Sequence, residues 1–279
     1  MKRLYAVLFM LVLLTLVPGP VQAQYGDRAT ADAGKFDWPE GKRGAVSLTF
    51  DDGRVSQLEN GIPILNKYSV PATFYVHPGP VSERLADWKT AVEAGHEIGN
   101  HSNSHPCTGN FPWALDKALE NQTLDSIAAD IDQASRGIAD LLGLVPKTFA
   151  FPCGQTFVGR GRNLQSYIPV VAHRFVAARG WLGEGPNNPA FCDLAQLLGM
   201  ELDGLSFEEA RALIDSAMDQ GMWLVFAGHD VGESGRQTVL NPTLESICQY
   251  VTNPANGIWV DTVAEIATYI DKQRVERQD

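Results

Sequence analysis

Residues 44–54 read GAVSLTFDDGR, an apolar, β-branched run that ends in two adjacent acids and a glycine. Like charges on neighbouring residues repel and oppose burial, so a strand that ends this way needs a reason to place Asp51 and Asp52 side by side. Outward from this stretch, β-rich runs alternate with helical patterns: ATFYVH (72–77), EIGNHS (97–102), KTFAFP (147–152), RFVAARGW (174–181), MWLVFAGHD (222–230) and GIWV (257–260). Between them lie LENGIPILNKY (58–68), RLADWKTAVEAG (84–95) and an amphipathic helix over 124–142, with Leu124, Ile127, Ile131, Ala134, Ile138 and Leu141 at helical spacing. A further helix starts at Ser206, with Glu209 completing a capping box, and stops at Gly221. A segment near 242–251 is amphipathic, and a last helix starts near Asp261. This alternation predicts an α/β fold, a distorted (β/α) barrel of about seven parallel strands in a single domain; an open parallel sheet is the alternative.

The chain opens with MKR, an unbroken apolar run to Val17, and then Pro18, Pro20 and Val21-Gln22-Ala23. This pattern predicts a signal peptide over 1–23, a leader or linker over 24–43, and the folded domain over 44–279. The apolar run is too short, and too soon followed by proline, for a membrane span, so none is expected after cleavage and the mature chain is expected to be secreted or periplasmic. Loss of Lys2 and Arg3 moves the net charge from −11 to −13, which disfavours nucleic acid as a partner. Nothing in the sequence sets an oligomeric state. The four cysteines, Cys107, Cys153, Cys192 and Cys248, allow three pairings in an oxidising compartment, and none forms a CxxC zinc element.

Three polar clusters fall at strand C-terminal ends, the edge where parallel α/β folds build sites: Asp51-Asp52, the HSNSH of 101–105, and His229-Asp230. His101 and His105, four residues apart, suit chelation of one divalent ion, and one aspartate supplies a third ligand while its neighbour serves as general base. A cation beside the pair also relieves the repulsion. His77, His96 and His173 form no comparable cluster and read as structural. Trp113 and Trp181 are candidates for stacking on a sugar ring.

TFDDG (49–53) and HSNSH (101–105), in that order and context, resemble the first two motifs of the NodB-homology polysaccharide deacetylases, carbohydrate esterase family 4, and the likeness runs from about Gly44 to Ile270. By that resemblance Asp51 is the catalytic base, Asp52, His101 and His105 are the metal ligands, and His229, in GHD (228–230), is the general acid. FAFPCG (149–154) resembles the third motif, which implies an oxyanion donor at the Cys153 main-chain N–H, and Trp181 is a substrate-binding candidate. The implied cofactor is a divalent metal, Zn2+ by default with Co2+ or Ni2+ as alternatives, and the implied partner is an acetylated glycan. Cys107 and Cys153 each lie within a few residues of a motif, so their pairing is the first choice.

The departures are specific. The family's third-motif arginine, which pairs with the base, is replaced by Ala150, so Asp51 is expected to be less well oriented unless Arg54, Arg160, Arg162 or Arg179 substitutes. Ala227 replaces a leucine of the acetyl pocket, which implies a roomier pocket. For the fourth motif, Arg179, Trp181 and Asp193 are the nearby candidates. The leading expectation is removal of N-acetyl groups, with O-acetyl groups second. A glycan-binding module with impaired catalysis and a cyclic-amide hydrolase are the alternatives.

Overall fold

The computed structural model describes residues 36–276, so the signal peptide and residues 24–35 of the leader lie outside the described residues. From Gly44 the chain alternates as the sequence predicts. Strand β1 (Gly44–Asp51) leads through α1 (Ile62–Lys67) to β2 (Thr73–Val76), and then through α2 (Pro78–Glu83) and α3 (Leu85–Glu93) to β3 (Glu97–Asn100). The long helix α4 (Leu124–Leu142) precedes β4 (Thr148–Ala150), a two-stranded excursion of β5 (Phe157–Val158) and β6 (Gln165–Ser166), α5 (Ile168–Ala172) and β7 (Ala177–Arg179). Next come β8 (Met200–Glu201), α6 (Phe207–Asp219), β9 (Trp223–Gly228), the short pair β10 (Asp230–Gly232) and β11 (Thr238–Leu240), α7 (Asn241–Thr252), β12 (Ile258–Val260) and α8 (Val263–Glu276).

Eight of these strands form one all-parallel sheet in the order β7-β4-β3-β2-β1-β9-β8, with β12 sharing an edge of β1 with β2. Strand β12 pairs with Gly44–Val46 and β2 with Thr49–Asp51, so the sheet splits along β1. The other gap is bridged by residues 197–201. Leu197 exchanges main-chain hydrogen bonds with Ala178 and Gly180 at 2.8 and 2.9 Å, and Met200–Glu201 then pair with β9. The expected distorted barrel is what forms. The strand that the sequence did not offer is β8, whose two residues are too few to show a period.

Every residue of β1 is buried, as befits a parallel strand covered on both faces. Its faces differ in chemistry. Val46, Leu48 and Phe50 join a large cluster with Phe74, Trp88, Phe226 and Leu244, whereas Ser47, Thr49 and Asp51 line up on the opposite face. That polar column is satisfied by its neighbours: the Trp223 indole N–H donates to Ser47 Oγ, and the Thr49 hydroxyl donates to the Phe226 carbonyl at 2.7 Å. Helix α4 spans the predicted residues. It is opened by a Thr123–Ser126 capping box and closed by Gly143 at φ 73°, and its Ile127 and Ile131 pack beside Phe149 and Phe151. Phe36 and Trp38, within the stretch read as leader, are buried among Trp223, Ile266 and Ile270.

Candidate active site

Strand β1 ends at Asp51 because the next two residues turn left-handed, Asp52 at φ 74° and Gly53 at φ 66°. The turn separates the two carboxylates. Asp51 stays buried on the inward column, while Asp52 swings toward the loop after β3. Ser102, His105, Cys153 and Leu182 also hold left-handed backbone, at φ 64°, 51°, 54° and 58°. Conformations this unfavourable for non-glycine residues gather where a fold over-determines its functional loops.

Asp51 Oδ1 pairs with Arg179 Nη2, both side chains being almost wholly buried. The same guanidinium donates through Nε to Thr49 Oγ1 at 2.9 Å and through Nη1 to the Gly180 carbonyl at 3.1 Å, and it lies 4.9 Å over the Tyr75 ring. Of the four arginines open from sequence, Arg179 is the one beside Asp51. Arg54 instead chelates Asp52 Oδ2 through Nε and Nη2, at 3.0 and 2.8 Å, and reaches Asp230 Oδ2 at 2.6 Å. Arg160 reaches Asn121 Oδ1 at 2.6 Å.

The remaining Asp52 oxygen, Oδ1, lies 3.6 Å from His101 Nε2, 3.6 Å from His105 Nε2 and 3.8 Å from His77 Nε2. His77, read from sequence as structural, is therefore part of the cluster; it follows β2 at the same sheet edge, which only the folded topology reveals. His96 keeps a structural role: its Nδ1 accepts the Ala72 N–H and its Nε2 meets Asn66 Oδ1 at 3.1 Å. His173 is exposed, with its ring against the Pro169 carbonyl. His101 Nδ1 sits 2.9 Å from the Ala150 carbonyl, which assigns the proton to Nδ1 and leaves the Nε2 lone pair facing Asp52. Burial pushes both His101 and His105 down to about 3. Burial alone would raise Asp52, but His77, His101, His105 and Arg54 around it outweigh that and hold its carboxyl well below the usual range. Neutral imidazoles around an ionised carboxylate are the protonation states that a divalent cation requires, and the donor set fits one.

His229 follows β9. Its Nδ1 lies 2.6 Å from Asp203 Oδ2, its main-chain N–H donates to Asp203 Oδ1 at 3.0 Å, and its ring meets Trp181 edge-on at 4.8 Å. Burial opposes its charge, yet the Asp203 hydrogen bond and the nearby Asp51 and Asp52 raise its pKa above the ordinary value. Asp203 is the residue that the sequence reading missed, because it lies two positions after the unreadable strand β8. Of the fourth-motif candidates, Arg179 and Trp181 stand at the site, whereas Asp193 caps a short turn through the Ala195 N–H at 2.9 Å.

Cys153 is disulfide-bonded to Cys107, the preferred pairing, which ties the third-motif loop to the segment two residues beyond His105; Cys192 and Cys248 are free thiols. A cleft of about 900 Å3 is lined by Asp51, Asp52, His105, Cys153, Trp181 and His229, and by the exposed, stacked rings of Phe111 and Trp113. Ala227 is fully buried and does not line this cleft.

A curled, all-parallel α/β sheet thus carries a buried carboxylate, a carboxylate–imidazole cluster and an aspartate-backed histidine at its strand ends, groups suited to hydrolytic chemistry. Residues 39–164 match the polysaccharide deacetylase family model. Over 97 residues, 35% of this chain, it is 34% identical to the uncharacterized protein YlxY of Bacillus subtilis, and over 110 residues, 39% of the chain, 30% identical to the peptidoglycan-N-acetylglucosamine deacetylase PgdA of Listeria monocytogenes. These alignments cover 27% and 21% of the two relatives, so the chain spans roughly a quarter of their length. Among solved structures, a candidate polysaccharide deacetylase from Mycobacterium smegmatis shares the fold with a TM-score of 0.64 at 18% identity, over 87% of this chain and 95% of the other. A family 4 acetyl xylan esterase from Clostridium thermocellum, solved with a cobalt ion, aligns with a TM-score of 0.53 at 24% identity, over 81% and 91%.

Proposed function

We propose that this chain is an exported, divalent-metal-dependent hydrolase that removes N-acetyl groups, and less readily O-acetyl groups, from a polysaccharide or oligosaccharide. The observation that carries the reading is the division of labour on Asp51: Oδ1 is engaged by Arg179, and Oδ2 lies 4.0 Å from His101 Nε2, beside the ligand cluster. One carboxylate oxygen is thus fixed while the other faces the place where water and substrate would meet.

In this reading Asp52, His101 and His105 hold the ion, with Zn2+ the default for a carboxylate and imidazole set. When bound, it supplies Lewis acidity, polarising the acetyl carbonyl and making water easier to deprotonate. Asp51 takes the proton from the attacking water, and Arg179 keeps that carboxylate oriented. The Cys153 main-chain N–H donates to the oxygen that gains charge in the transition state. His229, aligned through Nδ1 by Asp203, gives a proton to the leaving nitrogen as the C–N bond breaks. Trp181 walls the acid side of the cleft.

Export is supported by the predicted signal peptide and by a disulfide of the kind that persists in oxidising compartments, and no helix among the described residues is long and apolar enough to cross a membrane. The binding-module alternative rested on Ala150, and a buried arginine beside Asp51 takes away its motive. The test is acetate release from a panel of N- and O-acetylated glycans, with zinc, with chelator and after metal is restored. Release that chelator stops and metal restores, and that Asp51→Asn abolishes, supports the reading. Metal-loaded protein that releases acetate from no glycan overturns it.

A further inference from the structure

We infer that His77 is a fourth protein ligand to the ion, so that the centre is a three-histidine, one-aspartate set. The inference rests on the metal-dependent part of the proposed function and adds a residue outside the motifs that suggested it.

Three observations carry it. The first is distance. The three Nε2 atoms lie 3.6, 3.6 and 3.8 Å from one Asp52 oxygen, and the ligand atoms of all four residues lie within 4.8 Å of one another. Donors at ~2.0–2.1 Å from a tetrahedral zinc are about 3.3–3.4 Å apart, so the His77–Asp52 separation of 3.8 Å exceeds that of two ligands by about half an ångström, and the 3.6 Å of His101 and His105 by about half as much.

The second is orientation. His77 Nδ1 lies 2.9 Å from the Ser102 carbonyl, which assigns its proton to Nδ1 and leaves the Nε2 lone pair inward. His101 is oriented by the same device, through the Ala150 carbonyl. The Ser102 carbonyl is presented by a left-handed residue inside HSNSH, so the loop that bears two of the ligands also aims the third histidine. The ring meets both partners, with centroids 5.2 Å from His101 and 5.4 Å from His105.

The third is restraint. His77 precedes Pro78 and is held extended, at φ −101° and ψ 155°, as a residue before proline must be. It forms the junction between β2 and α2, and α4 packs closely on Pro78: a methyl group added at Gly137 would come within 2.9 Å of that ring. Little freedom remains for the histidine to leave the cluster. Because Arg54 occupies Asp52 Oδ2, the aspartate offers one oxygen, and the set consists of four single-atom donors. Four protein donors complete a tetrahedron. An ion held by all of them keeps a position for water and substrate only at a coordination number above four.

The experiment separates ligation from the structural hydrogen bond. Asparagine can keep the donor to the Ser102 carbonyl while removing Nε2, and alanine removes both. Zinc affinity is measured by competition with a chromophoric chelator for wild type, His77→Asn, His77→Ala and the exposed control His173→Asn, with circular dichroism confirming the fold. Expected is a loss of about a hundredfold or more in both His77 variants, at or beyond the upper end of the ~10–100-fold cost of losing an outer-shell group, and an unchanged control. The visible spectrum of the cobalt-loaded protein should change in His77→Asn. Native affinity and an unchanged spectrum in His77→Asn would overturn the inference while leaving metal dependence intact. Wild type that takes up no divalent ion overturns both. X-ray absorption on zinc-loaded wild type needs no variant to fold: three imidazoles support the set, and two refute it.

Discussion

Arg179 stands directly opposite Ala150 in the β4–β7 ladder, and from there its guanidinium pairs with Asp51. The cation that the third motif lacks is therefore supplied one strand over, at the same level of the barrel. A linear motif registers a loss at Ala150, whereas the strand register shows the charge in place.

Replacing Arg179 by alanine should lower kcat by about a hundredfold or more, within the range for disabling Asp51 in its proposed role as general base. It should also cost about 3–5 kcal/mol of stability, because Asp51 would be left buried without its partner. Chemical denaturation and steady-state rates measure the two effects. In the Arg179→Ala background, Ala150→Arg should restore part of the rate; a double variant no faster than the single one would argue against interchangeable positions.

Asp203→Asn should move the alkaline limb of kcat/KM to lower pH. His229 must be protonated to act as an acid, and its pKa is raised over the ordinary 6.5 despite burial, the Asp203 hydrogen bond being the largest raising influence. Weakening that influence means the proton is lost sooner as pH rises. The stability effect has the same sign. A histidine whose folded pKa exceeds its unfolded value stabilises fully below the unfolded value, and that contribution fades as pH rises through the folded one. The Asp203 variant should thus lose more stability at pH 6 than at pH 9, as melts across that range would show.

Gly99→Ala should damage the site from a distance. A methyl group there would come within 2.5 Å of Tyr75 Cδ1 and Cε1, and the fully buried Tyr75 ring is the surface on which Arg179 rests. The expected cost is about 1–3 kcal/mol from overpacking, with a fall in kcat as Arg179 shifts. Gly79→Ala, with no atom within 4 Å of the added methyl, should change neither quantity.

Trp113→Ala should raise KM for oligomeric substrates by about tenfold and leave kcat nearly unchanged, the outcome expected of a ring that stacks on substrate away from the reacting atoms. Trp113 is 57% exposed, stacks on Phe111 at 5.5 Å and lies 5.9 Å from the His105 ring, so it offers an aromatic platform at the mouth of the cleft. An unchanged KM across chain lengths would remove it from the substrate path.

Where a signal is local, the sequence carries it. Helix α4 occupies the residues that its periodicity marks, and the acids and histidines of TFDDG and HSNSH meet because each follows a strand at one sheet edge. His77 and Asp203 were hidden for the opposite reason. Each is a single polar residue after a short strand, with no partner nearby in sequence, and only the parallel register brings it to its cluster. Arg179 was ambiguous because RFVAARGW reads as a buried strand, and nothing local says that its last side chain runs along the polar column of Thr49 and Asp51.

The left-handed residues around the cleft bear on how relatives of this chain would diverge. Left-handed backbone costs a non-glycine residue about 1–2 kcal/mol, and glycine at Ser102 or Leu182 would relieve that strain while erasing the side chain. A lineage released from selection on this site would drift toward glycine at such positions and gain stability as it lost activity. Relatives that have lost the proposed activity should then be recognisable by glycine at those positions.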